Sequence, residues 1–285
     1  MKQRTIGDLQ VGAIGLGGMP MSIEGRPDRE RAIATIHAAL DAGVTLIDTA
    51  DAYHLPVEGD LGHNELLIAE ALRGYGGDTS GVLVATKGGH LRPPGENWTQ
   101  DGRPEHLKEA ARASAQRLGV DAIGLYQYHR PDSRVPYADS IGALVELLDE
   151  GVIVRAGISN ADPDQIREAH GILGSHLVSV QNQFSPSFRS SEPELELCAE
   201  LGIAFLPWSP LGGITSAAEL GSRNAAFGTV AEAHGVSPQV ICLAWELAKA
   251  PVVLPIPGAS RPESIRDSAT AADLTLTPEE LASLG

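Results

Sequence analysis

The chain has 285 residues, 42% hydrophobic and 20% charged, enough for one sizeable core and close to the ~250 residues of a single α/β barrel. Its 21 Lys and Arg against 37 Asp and Glu leave a formal net charge of −16, which repels nucleic acid and anionic membrane surfaces. The opening MKQRTIGDLQ leads into no apolar signal-like run, and no later run approaches the roughly 18 apolar residues of a membrane span. A soluble, cytoplasmic protein without nucleic-acid or membrane partners is expected, monomeric or a small homo-oligomer.

Short β-like runs recur at residues 13–17, 45–49, 82–87, 122–129, 152–158, 177–181, 203–208 and 252–256, and a helical pattern follows nearly every one. That alternation implies parallel strands joined by crossover helices. The helical period is visible where Leu107, Ala110, Ala111 and Ser114 fall at i, i+3, i+4 and i+7, as do Ile141, Leu144, Val145 and Leu148. Gly43, Gly119, Gly151 and Gly202 follow helical runs and mark turns back into strands. Eight strands with eight crossovers favour a closed (β/α)₈ barrel over an open doubly wound sheet, with residues 1–285 as one domain.

The segment before residue 13 is expected to form a small hairpin capping the barrel bottom. Residues 88–104 and 209–223 are longer and richer in Gly, Pro and Ser than plain turns, as loops at strand carboxyl ends are when they serve function. Cys198 and Cys242 sit on apolar stripes of helices and read as core residues.

In a barrel, reacting groups come from the carboxyl ends of the strands and the loops just beyond. Asp48 ends VTLID, Tyr53 follows five residues later, Lys87 ends VLVATK, and His129 ends IGLYQYH. Each has an ordinary structural explanation alone: a cap, a rim aromatic, a solvated strand end, a satisfied core imidazole. Together they suit carbonyl reduction. A phenol holds its proton tightly and a neighbouring ammonium lowers its pKa, so Tyr53 is expected as a general acid tuned by Lys87. Asp48 would anchor Lys87, and His129 would steer the substrate oxygen toward Tyr53.

These stretches, DTADAY, ATKGG and LYQYHRPD in that order and spacing, resemble the aldo-keto reductase family across nearly the whole chain. The resemblance implies a (β/α)₈ barrel, NADPH as the usual reductant, a small carbonyl substrate and a catalytic tetrad of Asp48, Tyr53, Lys87 and His129; the tetrad and the absence of metal-ligand spacings lead us to expect no metal. It further implies that Ser159, Asn160 and Gln181 hold the nicotinamide carboxamide and that Trp208 stacks on its ring. Ser209, Leu211 and Gly212 would then lie near the pyrophosphate, Ser260 and Arg261 near a 2′-phosphate, and Arg266 near adenine. Ser264 and Ser268 depart from the family's commoner basic residue and Asn, which leaves NAD(H) open beside NADP(H). Many relatives continue beyond the segment matching LTPEELASLG, which implies an open pocket here. Trp98 is expected to line it, with Tyr126 or Tyr128 as further aromatic candidates, either of which could instead pack in the core.

Other readings compete. GLGGMP has a fingerprint-like start at Gly15 and Gly17, but Pro20 stands where a third glycine is needed, so the run is expected to let backbone approach the pocket floor. A metal-dependent hydrolase would use histidines such as His54 beside Asp51, without H-x-H or H-E-x-x-H spacing. A Schiff-base lyase would use Lys87, whose basicity Asp48 raises. A cofactor-holding regulatory or redox-sensing subunit of the same fold, with little turnover, is the alternative from another class.

Overall fold

Alternation of side chains across short parallel strands determines this architecture. The computed structural model describes residues 1–213 and 225–285; the stretch 209–223 expected as a functional loop lies outside them from residue 214 on. Gln3–Ile6 (β1) and Leu9–Gly12 (β2) pair antiparallel. There follow Leu16–Gly17 (β3), Leu46–Asp48 (β4), Leu83–Gly88 (β5), His90–Leu91 (β6), Thr99–Gln100 (β7), Leu125–Tyr128 (β8), Ala156–Ser159 (β9), Leu177–Gln181 (β10) and Ala204–Phe205 (β11). Strands β3, β4, β5, β8, β9, β10 and β11 pair in parallel in that order. Helices Arg29–Asp41 (α1), His63–Gly74 (α2), Pro104–Leu118 (α3), Tyr137–Asp149 (α4), Pro163–Leu173 (α5) and Glu192–Leu201 (α6) form the crossovers between consecutive members.

The eighth barrel segment, read from sequence as a strand over 252–256, is closed by isolated contacts. Phe205 bridges Val253 and Gly17 bridges Gly258. Leu254 N donates to Phe205 O at 2.8 Å on one side, while Gly15 and Gly17 N donate to Pro255 and Pro257 O at 2.9 Å on the other. Pro251, Pro255 and Pro257 have no N–H to give, so the segment spans β11 and β3 without a regular ladder.

Inside the ring, Leu46, Leu83, Ala85, Leu125, Leu206 and Leu254 form one buried cluster with Ile6 and Val11 of the hairpin, which therefore caps the barrel bottom as expected. The outward-facing residues complete the second layer: Ile47 packs with Ile36 of α1 and Leu67 and Ile68 of α2. Leu107, Ala111, Ile141 and Leu144 are buried beneath α3 and α4 as their period predicts. Gly43, Gly119, Gly151 and Gly202 all have φ of 70° to 85°, the left-handed region that releases a helix into the next strand.

Two glycines in this frame respond oppositely to an added methyl. A Cβ at Gly17 would lie 2.8 Å from Ile256 O and 3.2 Å from Gly258 N, backbone at the barrel closure, whereas one at Gly142 inside α4 meets nothing within 4 Å. Gly17→Ala is expected to lower stability by ~1–3 kcal/mol, as overpacking does. Gly142→Ala should raise it by ~0.5–1 kcal/mol through helix propensity. Urea unfolding of both variants checks the pair; equal shifts of one sign would contradict the geometry.

Candidate active site

Because strand side chains alternate, the residue two beyond each inward leucine or alanine also points inward, one layer nearer the carboxyl ends. Leu46 is thus followed by Asp48, Ala85 by Lys87, and Leu125 by Gln127 and His129. The loop after β4 returns Tyr53 over this layer. Lys87 is fully buried, and its ammonium has three partners: Asp48 Oδ2 at 2.7 Å, the Thr49 carbonyl at 2.8 Å and Tyr53 Oη at 3.0 Å. All three N–H bonds are thereby used. Since Lys87 donates to the phenol oxygen, the Tyr53 O–H remains free to donate elsewhere. The His129 ring meets the Tyr53 ring edge-on at 5.7 Å, and among the described residues its buried Nδ1 has no hydrogen-bond partner. The structure brings Asp48, Tyr53, Lys87 and His129 into one cluster.

Electrostatics refine the sequence-based expectation. Burial pushes the Tyr53 phenol above its ordinary value; Lys87 lowers it, Asp48 raises it, and the balance stays upward. The phenol acidified by Lys87 therefore describes only one of the effects on it. Burial lowers the Lys87 ammonium, but Asp48 and Tyr53 outweigh burial and hold it above its ordinary value, which disfavours the neutral amine a Schiff base requires. Burial, Lys87, His90 and Arg130 drive His129 well below the usual imidazole range, so its ring is neutral.

A cavity of about 600 Å³ opens over the cluster, within the range of small-molecule sites. Ser159, Asn160, Gln181, Trp208, Ser209 and Leu211 all line it. Gln181 Nε2 donates to Asp48 Oδ1 at 2.8 Å, and Ser159 Oγ donates to the Gln181 carbonyl at 2.7 Å. Trp208 Nε1 donates to Asn160 Oδ1 at 3.2 Å, and Asn160 Nδ2 to the His129 carbonyl at 3.0 Å, so three strand ends are tied together. Among the described residues, Asn160 and Ser209 are the non-glycine positions with left-handed φ, 56° and 52°. Such backbone is uncommon outside glycine and concentrates at ligand sites.

Gly212 N closes a turn onto Ser209 O at 2.9 Å. Ser260, Arg261 and Arg266 do not line the cavity; they precede or belong to the helix Pro262–Thr270, to which Gly258 of the cavity wall leads. Arg261 stands exposed at its N-cap, with Nε 3.2 Å from Ser264 Oγ. Ser268 is buried on the same helix.

The pocket wall holds residues that sequence reasoning passed over. The stretch 88–104 carries its own hairpin, β6 with β7, which presents His90. The His90 ring stacks on Trp98 at 4.6 Å and meets His129 edge-on at 4.9 Å. Arg92 lies over the Trp98 ring at 4.8 Å, and Arg130 borders the same cavity. Gln127 reaches Asp48 Oδ1 at 3.5 Å and accepts from Ser179 Oγ at 3.1 Å; its place two residues before His129 was the available signal. Tyr126 and Tyr128 point outward instead, with Tyr126 donating to Leu107 O at 3.3 Å and Tyr128 accepting from Asp132 N at 2.8 Å, so both are packing residues. Gly17 lines the cavity, as a backbone floor requires. His54 Nδ1 is bound to the Leu55 carbonyl at 2.6 Å, and among the described residues no three His, Cys, Asp or Glu side chains converge as metal ligands. Cys198 and Cys242 are buried, with burial pushing the Cys198 thiol up to about 12.

The sequence profile of the Aldo/keto reductase family matches residues 13–285, and the chain belongs to that family of oxidoreductases. It is 35% identical over 283 residues to an uncharacterized oxidoreductase of Schizosaccharomyces pombe, covering 98% of this chain and 87% of that protein. Against the pyridoxine 4-dehydrogenase of Escherichia coli the identity is 31% over 290 residues, covering 98% and 96%. A crystal structure of aldo/keto reductase from Klebsiella pneumoniae in complex with NADP and acetate matches with a TM-score of 0.82 at 27% identity, covering 99% of this chain and 94% of that one.

Behind the cluster lies a second buried charged layer. Glu65 of α2 accepts from Thr86 Oγ1 and from Arg117 Nε, each at 2.5 Å. Asp51 sits beside them with a buried Oδ1 that has no partner among the described residues, and burial together with Glu65 pushes its carboxyl up to about 8. A carboxyl raised on folding contributes stability that is full below the unfolded value of ~3.9 and is lost as pH rises toward the folded one. Asp51→Asn keeps the site neutral throughout. The melting temperature of the variant minus that of the wild type is therefore expected to increase as pH rises from ~5 to ~8. A difference independent of pH over that window would show that Asp51 is ionised in the fold.

Proposed function

We propose that the protein is an NADPH-dependent reductase of small aldehydes and ketones, with Tyr53 as the acid that protonates the carbonyl oxygen. The observation that carries this reading is the buried Lys87 ammonium, fixed between Asp48 and the Tyr53 oxygen behind a cavity that both of them line together with His129. The NADP complex of the Klebsiella relative supports the choice of cofactor.

The residues fit that group. Ser159, Asn160 and Gln181 offer amide and hydroxyl partners for a carboxamide, Trp208 offers an aromatic face, and Ser209, Leu211 and Gly212 offer a turn whose left-handed backbone leaves room for phosphate oxygens. Ser260 and Arg261 would hold a 2′-phosphate and Arg266 would serve the adenine end, the guanidinium matching phosphate through forked donors. When bound, the nicotinamide supplies the hydride.

The side chains manage the charge that hydride delivery creates. His129, neutral, donates one N–H to the substrate oxygen and sets its direction toward Tyr53. Negative charge growing on that oxygen draws the Tyr53 proton. The phenolate charge then develops 3.0 Å from the Lys87 ammonium, whose own charge Asp48 holds in position, so the transition state is stabilised more than the ground state. Because Lys87 donates to the phenol oxygen throughout, no reorganisation of the cluster is needed.

Tyr53→Phe removes one oxygen and the transferable proton while leaving the ring. The rate constant for aldehyde reduction is expected to fall by ~10²–10⁴, the usual contribution of a positioned acid, with little change in NADPH affinity. Lys87→Met should give a comparable loss. Near wild-type turnover by Tyr53→Phe, with a deuterated cofactor showing that chemistry limits the rate, would contradict the assignment. A wild type that binds NADPH but turns over no aldehyde would instead mark a cofactor-holding sensor.

Selectivity provides a separate check. A charge-assisted bond from Arg261 to a 2′-phosphate is worth ~1.5–3 kcal/mol, so Arg261→Ala is expected to weaken NADPH about 10- to 100-fold and NADH hardly at all. Equal losses for both, measured by fluorescence titration, would mean that Arg261 supports the loop.

A further inference from the structure

The cavity wall carries an unbalanced charge. Among the described residues its cations are Arg92 and Arg130 and its carboxylates are Asp48 and Glu24, with the Lys87 ammonium buried directly behind Asp48. Lys87 is paired with Asp48. Arg92 is paired with Glu24, donates to the His54 carbonyl, and lies over Trp98. Both carboxylates are thereby committed, and Arg130 is left over. It is half-buried, and among the described residues it makes neither a hydrogen bond nor an ion pair. Asp132, the nearest carboxylate along the chain, is held instead by Arg134 at 2.9 Å and by the Gly102 N–H at 3.0 Å.

A half-buried guanidinium without a counterion is an unmet demand, since burying a charge is favourable only when partners replace its water. It stands out further in a chain of net charge −16. Arg130 is also the immediate neighbour of His129, so its position is on the side where the substrate oxygen is steered. Its charge reaches the reacting groups: it helps lower His129, and after burial it is the largest influence holding His90 down to about 4. The two imidazoles facing it are therefore neutral, and neither can take its place as the cation of the pocket. Among the described residues, no unpaired carboxylate on the cavity wall remains to repel an incoming anion.

We infer that Arg130 is a specificity residue that recognises a carboxylate on the substrate, so that the carbonyl compounds this pocket favours are oxo acids rather than neutral aldehydes. The forked donors of arginine suit a carboxylate bidentately, and the unpaired guanidinium at the cavity attracts an anionic substrate. The inference rests on the reductase reading above and narrows its substrate class.

The test compares para-carboxybenzaldehyde with its neutral isostere para-formylbenzamide, each reduced with NADPH. The wild type is expected to favour the acid in kcat/KM by about 10- to 100-fold, the worth of a charge-assisted bond, and to lose that preference as KCl is raised. In Arg130→Met the acid-to-amide ratio should fall toward one. Arg130→Lys, which keeps the charge without the fork, should retain part of it. A wild-type ratio near one, or a ratio that survives Arg130→Met, overturns the inference. So does an Arg130→Met variant that loses NADPH affinity as strongly as it loses the acid, because the guanidinium then serves the cofactor. If neither aldehyde consumes NADPH, the reductase reading itself has failed. Should Arg130→Met not fold, the salt dependence of the wild-type ratio decides, with no dependence counting against the inference.

Discussion

The buried ammonium of Lys87 is the constraint on which the rest of the site depends. A charge removed from water this completely is tolerable only if its donors are all satisfied, and the three partners of Lys87 come from β4, from the backbone just beyond it and from the Tyr53 phenol. Meeting that requirement fixes the distance between two neighbouring strands and brings the returning loop down onto the barrel. The same contacts that make the charge affordable to the fold leave the phenol as an acceptor toward Lys87 and a donor toward the cavity. Structure and chemistry here are one arrangement.

Around this centre the barrel supplies successive layers of support. Asp48 is shared: one oxygen serves Lys87 while the other accepts from Gln181 and, more distantly, Gln127, so the cluster is linked across β4, β8 and β10. Outside the ring, Thr86 alternates with Lys87 and reaches Glu65 on α2, which Arg117 of α3 holds in turn. Movement of either helix is thus coupled to the strand that carries the ammonium. Along the cavity wall, the chain of bonds through His129, Asn160 and Trp208 holds the Trp208 ring in place. The proline-rich segment over 252–258 closes the ring beside that opening, where few ladder bonds leave the backbone free to approach β3.

Much of this architecture was legible in the sequence, because apolar strand runs and helical periods are imposed by burial on two faces. Seven of the eight expected strand positions and the capping hairpin follow from that. The eighth strand was overdrawn: VVLPI reads as a β run, but the flanking and internal prolines remove the donors of a ladder. The hairpin of β6 and β7 was hidden, since two-residue strands carry no period. At the site, residues ending apolar runs could be picked out, and the structure gathers the four proposed for catalysis. Their surroundings could not be read in the same way. The direction of the Tyr53 shift depends on how deeply the phenol is buried, which outweighs the lysine beside it. Gln127 was accessible through strand alternation from His129, whereas His90 and Arg130 owe their importance to contacts across the barrel mouth. Tyr126 and Tyr128 follow the same alternation to the opposite face.

In the proposed mechanism the proton reaching the substrate oxygen comes from Tyr53 and not from the neighbouring imidazole. The pH dependence of the single-turnover rate of aldehyde reduction, with NADPH saturating, separates the two. An acid must be protonated to act, so the rate is lost as pH rises through its pKa. Tyr53 lies above its ordinary phenol value and His129 well below its ordinary imidazole value. With Tyr53 as the acid, the rate is expected to stay level through neutrality and to fall only in the alkaline range above ~10, the ordinary phenol value. A rate that has already fallen away by ~6.5, the ordinary imidazole value, would contradict the mechanism.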